Sequence, residues 1–193
     1  MIRQISEHFD TKLALTGWIE KFYPLVKMVE DIPQYYVGNS QYVPVSNFDS
    51  WNGMAYLRLV SNPTISQNTE QSNRACSEIM DIVYPVRFVF AIKRTALKID
   101  DAFSEDRLIT DLIKTLAVKN GALRQNLSAL STNIMAESWT TEADEVTASE
   151  YPNKDISINL EFIYGAINFN ALVVINKDCI ADSCEDTCYA YSG

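Results

Sequence analysis

The chain has 193 residues, 47% apolar and 21% charged, with 16 Lys and Arg against 25 Asp and Glu, a net charge of −9 and a pI near 4.6. Such an apolar share builds a core without staples. Basic residues spread no more densely than Lys93–Arg94 argue against a protein that grips phosphate backbones. No run approaches the roughly eighteen consecutive apolar residues of a membrane helix. The opening "MIRQISEHFD" lacks the apolar stretch of a secretory signal, so a reducing cytoplasm is the expected place of synthesis.

Ile2, Ile5, Phe9 and Leu13 recur at helical spacing and predict a short amphipathic helix over 2–15, ended at Gly17. From Trp18 the texture turns aromatic and β-branched, and Pro24 predicts an edge strand or a bulge in "WIEKFYPLVKMV". "QYYVGNSQYVPVSNF" reads as two short strands around Gly38-Asn39. In "MAYLRLVS", Ala55, Leu57 and Leu59 share one face and Met54, Tyr56 and Arg58 the other. Residues 61–73, polar and containing Pro63, are expected to be an exposed loop.

"YPVRFVFAIKR" places Val86, Phe88, Phe90 and Ile92 on one face, with Val89 and Ala91 apolar on the other. That pattern predicts a central strand covered on both sides. Next comes the clearest helix, with Ser104 as N-cap, Glu105 and Asp106 in the first turn, and a stripe of Leu108, Ile109, Leu112, Ile113 and Leu116. Lys114 and Lys119 lie near its end, before Gly121. Residues 137–155 hold six acids and one base and predict a solvated loop or hairpin arm. Alternation from Ile156 to Tyr164 predicts a half-buried strand. "FNALVVI" is its expected partner after a turn at "GAIN". Together the elements predict an α+β fold, a mostly antiparallel sheet packed with an N-terminal and a central amphipathic helix. One domain over 1–176, with excursions near 61–73 and 137–155, precedes a polar extension over 177–193.

Catalytic signals are sparse. His8 is the single histidine and has no nucleophile motif beside it; there is no Walker loop and no GxGxxG. The carboxylate pairs Asp100-Asp101, Glu105-Asp106 and Asp144-Glu145 fall in polar segments and read as helix caps or solvated surface. Cys179, Cys184 and Cys188 follow a C-x4-C-x3-C spacing without paired knuckles. Zinc (with Cys76, His8 or an Asp as fourth ligand), a disulfide and reduced thiols all stay open. No metal or cofactor site is assigned. Tyr35, Tyr36, Tyr42, Trp139, Tyr189 and Tyr191 are the candidates for a subunit interface, where aromatic anchors concentrate.

The order of elements, carried by "YPVRFVFAIKR", "SEDRLITDLIKTLA" and "KDISINLEFIYG", resembles the tail-terminator and neck-protein family of tailed bacteriophages. The Cys-bearing tail and the aromatic, Asn-rich texture look like crAss-like phages. The resemblance implies a non-enzymatic virion protein, assembled in the host cytoplasm as a homo-oligomeric ring of the head-to-tail connector, neck or tail. Its implied partners are copies of itself and neighbouring neck, portal or tail proteins, with DNA passing the channel unbound and no membrane involved. The alternative expectation is a cytoplasmic small-ligand-binding protein or enzyme with a carboxylate and aromatic pocket.

Overall fold

The structure is a computed structural model that describes residues 2–45, 50–75, 78–97, 105–121, 129–152 and 158–176. Its centre is an antiparallel pair of 15-residue strands, β6 (Ile79–Lys93) and β9 (Phe162–Asn176), in register from Ile79↔Asn176 to Lys93↔Phe162. Around them run β1 (Lys21–Val29), β2 (Ile32–Gly38), β3 (Gln41–Pro44), β4 (Gly53–Leu59), β5 (Thr64–Gln67), β7 (Val118–Gly121) and β8 (Ala129–Thr140). The order is β3-β2-β1-β4-β6-β9-β8-β7, with β5 pairing the far part of β6. Every pair among the described residues is antiparallel except β1 with β4. Helices α1 (Ile2–Ala14), α2 (Thr69–Ala75), α3 (Glu105–Leu116) and α4 (Ala143–Glu150) complete an α+β fold.

Period-two alternation divides the core in two. Val86, Phe88, Phe90 and Ile92 of β6 join Ala55 and Leu57 of β4 and Ile163, Ile167 and Phe169 of β9 beneath α1 and α3. The apolar stripes of those helices, Ile5, Phe9 and Leu13 on α1 and Leu108, Ile109, Leu112 and Leu116 on α3, are all buried. Phe9 anchors the seam, its ring centroid 5.9 Å from Phe88 and 5.4 Å, edge-on, from Phe169. On the other face Val89 and Ala91, Met54 and Tyr56, and Phe162, Tyr164 and Ala166 pack under Val146 of α4, with Tyr151, Tyr23, Val26 and Val45. The two-sided cover expected of "YPVRFVFAIKR" is therefore present.

The register of β1 against β4 shifts between Tyr23 and Val26, around Pro24, and Leu25 takes a φ of +53°. Pro24 lies at an irregularity, as its missing N–H demands. The hairpin of β2 and β3 turns at Asn39-Ser40, one residue past the expected position, with both φ values positive as a type I′ turn requires.

Three expectations are corrected. Residues 61–73 are not simply a loop, because Thr64–Gln67 pair with Val83–Met80 and α2 begins at Thr69. Ile65 opposite Ile82 gives that polar segment its strand register. Residues 137–155 likewise contain the end of β8 and all of α4, which buries Glu150 and leaves Asp144 and Glu145 exposed. Helix α3 stops at Leu116, and Gly121 ends β7 rather than capping the helix.

The turn expected at "GAIN" does not exist either, because β9 runs straight through it between β6 and β8. Gly165 is there for space. A Cβ at this position meets the Phe90 ring, with Cε2 at 3.0 Å and two further ring carbons nearer. Gly165→Ala is expected to cost about 1–3 kcal/mol by overpacking. The loss should shrink when combined with Phe90→Leu, read as denaturation midpoints of the two variants; an unchanged Gly165→Ala midpoint would refute the packing role.

Candidate functional site

Two features stand out from this scaffold: an aromatic hairpin at one end of the sheet and an ion cluster beneath α4. The hairpin arises because Tyr36 and Tyr42 are register partners, which puts both rings on one face at 5.4 Å. They are 56% and 44% exposed. Lys27 of the adjacent strand holds its Nζ 5.8 Å from the centre of the Tyr42 ring. Tyr35 turns the opposite way, its ring 4.7 Å from buried Tyr23 and packed on the α4-side core. It anchors the hairpin rather than presenting a surface. Val37 and Val43 add exposed apolar area. Trp139, 49% exposed, lies in register with Ile167 near the other end of the sheet. The structure thus brings Tyr36 and Tyr42 together and keeps Trp139 apart. Tyr189 and Tyr191, like all four cysteines, lie outside the described residues.

Sequence reasoning missed the ion cluster. Arg58 and Arg87 are register partners on β4 and β6, facing α4, and Glu150 at the end of that helix is wholly buried between them. Arg58 donates through Nε to Glu150 Oε2 at 2.8 Å and through Nη2 to Oε1 at 2.9 Å. Arg87 Nε donates to Oε1 at 2.8 Å, and Tyr56 Oη donates to Oε2 at 2.9 Å. Each carboxylate oxygen therefore accepts two bonds. Arg87 also reaches Asn168 Oδ1 and Ser149 Oγ, both at 3.1 Å. Burial, then the adjacent carboxylate, pushes the Tyr56 hydroxyl far above its ordinary value, and burial likewise raises Tyr151. A signal did exist in the sequence, since an arginine on the inward face of two apolar strands demands a carboxylate partner.

The arrangement makes Glu150 a poor general base, because all four lone-pair positions of its carboxylate are engaged. It is a rivet that fixes α4 to the sheet. A separate cleft of about 200 Å³ is lined by Glu20, Asn52, Lys93 and Glu161 among others, below the usual size of a small-molecule pocket. Hydrogen bonds from the Asn52 side chain and backbone hold Glu20 below the usual carboxylate range, opposite to the need of a general acid. Lys93 is occupied by Glu161 at 3.1 Å. Among the described residues, no three His, Cys, Asp or Glu side chains gather as metal ligands, and no helix is long and apolar enough to cross a membrane.

His8 joins two helices. Its Nε2 lies 3.2 Å from the Leu116 carbonyl at the end of α3, so that nitrogen carries the hydrogen and donates. Burial lowers the imidazole pKa from 6.5, partly opposed by the Leu116 bond, with Lys12 lowering it further. The folded state thus prefers the neutral ring. Its contribution to stability is fully present above about pH 6.5 and is lost as the pH falls through the lower folded-state value. Urea midpoints at pH 7.5 and pH 5 should fall further apart for the natural chain than for His8→Asn; equal differences would refute the linkage.

No protein-family model matches the sequence, and no curated protein matches it significantly.

Proposed function

We propose that this chain is a structural virion protein that forms a homo-oligomeric ring in the head-to-tail connector, neck or tail of a phage, without enzymatic activity. The observation that carries this reading is the Tyr36–Tyr42 pair, two large rings held in fixed geometry on a terminal hairpin and turned outward. Aromatic side chains are expensive to leave in water and are the residues that anchor subunit contacts. The ordered polar clusters support the same reading, since Glu150 is saturated and Glu20 is held ionised by Asn52. A net charge of −9 suits a wall around a channel, because it repels passing DNA instead of retaining it. The phage ring itself comes from the resemblance of the sequence segments "YPVRFVFAIKR", "SEDRLITDLIKTLA" and "KDISINLEFIYG" to tail-terminator and neck proteins. Light scattering and particle imaging of the purified chain are expected to show rings with a central channel. A chain that stays monomeric at every concentration, and is missing from virions, would overturn the proposal.

A further inference from the structure

We infer that the open edge of β3 pairs antiparallel with β3 of a second copy, about a two-fold axis at Tyr42. This rests on the homo-oligomeric reading and names one contact within it. Among the described residues β3 ends the sheet and pairs only with β2, and all four of its residues are exposed. The Val45 N–H donates to the Pro33 carbonyl at 2.8 Å, which makes those two residues a hydrogen-bonded pair. Such pairs alternate along an antiparallel ladder, so Val43 bonds inward to Tyr35 while Tyr42 and Pro44 turn their backbone groups outward. Pro44 has no N–H to leave unpaired. Tyr42 presents both an N–H and a carbonyl, so two copies of this one residue satisfy each other across a two-fold axis.

Side chains and charge select a second copy as the occupant. Paired residues share a face, so the axis continues the Tyr36–Tyr42 pair into a row of rings from both copies. Val43, the register partner of Tyr35, adds exposed apolar area on the opposite face. Residues 32–45 contain no Asp, Glu, Lys or Arg in a chain of net charge −9, so this edge meets its own copy without like-charge repulsion. Lys27 Nζ is drawn to the Tyr42 ring of its own chain. Antiparallel pairing also sets Glu30 and Asp31, beyond the Ile32 end of β2, towards the second copy's uncharged Asn39-Ser40 turn and away from its acids. The other open edges differ. Strand β7 carries exposed Lys119 and a register shift, two devices that guard an edge, and β5 offers one apolar side chain, Ile65, and no ring. A two-fold contact joins two copies, so a ring that contains it holds an even number of chains and a second kind of contact.

The test uses Tyr42→Lys and Tyr42→Cys. The first sets two ammonium groups opposite each other at the axis, and the second sets two thiols there. Opposed Cα atoms of a hydrogen-bonded pair lie about 5.5 Å apart, within disulfide range. Thermal melting of each variant checks that the fold is retained. In sedimentation velocity, Tyr42→Lys is expected to associate about tenfold more weakly than the natural chain. Under a mild oxidant, peptide mass spectrometry should find Tyr42→Cys linked to itself at position 42. Val43→Cys should give no link to itself, because the axis sets Val43 opposite Gln41 of the second copy. If the natural chain assembles and Tyr42→Lys assembles equally well, or if no link forms at position 42, this contact is wrong while the ring reading stands. If the link forms but the natural chain stops at dimers, the contact stands and the ring falls. If the natural chain remains monomeric throughout, both fall.

Discussion

Glu150→Gln is expected to lower the free energy of unfolding by about 3–5 kcal/mol, the range for removing one partner from a buried ion cluster. The carboxylate has no exposed surface, and the side chains of Arg58 and Arg87 are only 14% and 13% exposed. The amide keeps the shape but loses the negative charge and one acceptor oxygen. It therefore leaves two guanidinium ions side by side with nothing to balance them, and turns an NH2 group towards at least one donor. Denaturant midpoints at neutral pH measure the loss. A cycle with Arg87→Met separates pairing from packing. The double variant should be less damaged than the sum of the singles, because removing Arg87 relieves the imbalance that Glu150→Gln creates. A loss below about 1 kcal/mol, or strict additivity, would show that the cluster is not a rivet.

Gly53→Ala is expected to cost about 3 kcal/mol, at the upper end of ordinary overpacking. An added Cβ would overlap the Trp18 carbonyl oxygen and approach Ile19 Cα at 3.3 Å. The obstacle is backbone, and neither side can yield. Gly53 pairs with Ile92 of β6 and accepts the Glu20 amide at 2.8 Å, while Trp18 and Ile19 are packed against the main core. At Gly165 the obstacle is an aromatic ring, which relaxes more readily, so Gly53→Ala should be the more damaging change. Hydrogen exchange adds a spatial check, with faster exchange expected first in β1 and the start of β4. A variant as stable as the natural chain would overturn the close approach.

Much of the scaffold was legible because it rests on local periodicity. The stripes of α1 and α3, the two faces of "MAYLRLVS" and the doubly apolar "YPVRFVFAIKR" depend on spacing within one segment, and burial follows that spacing. Tyr36 and Tyr42 were expected as separate interface residues, but a turn at Gly38-Asn39 would have set Tyr42 opposite Tyr35, and only the turn one residue later pairs it with Tyr36. Other features were settled only by contacts between distant parts of the chain. Gly165 has the local appearance of a turn residue, yet Phe90, 75 positions earlier, makes it a space-saving point in a continuous strand. Glu150 is one acid in an acid-rich stretch until Arg58 and Arg87, 92 and 63 positions away, surround it. The chain by itself determined which faces are apolar. Which polar residue is drawn inside was decided by tertiary structure, because a buried charge is tolerable only where folding brings its partners together.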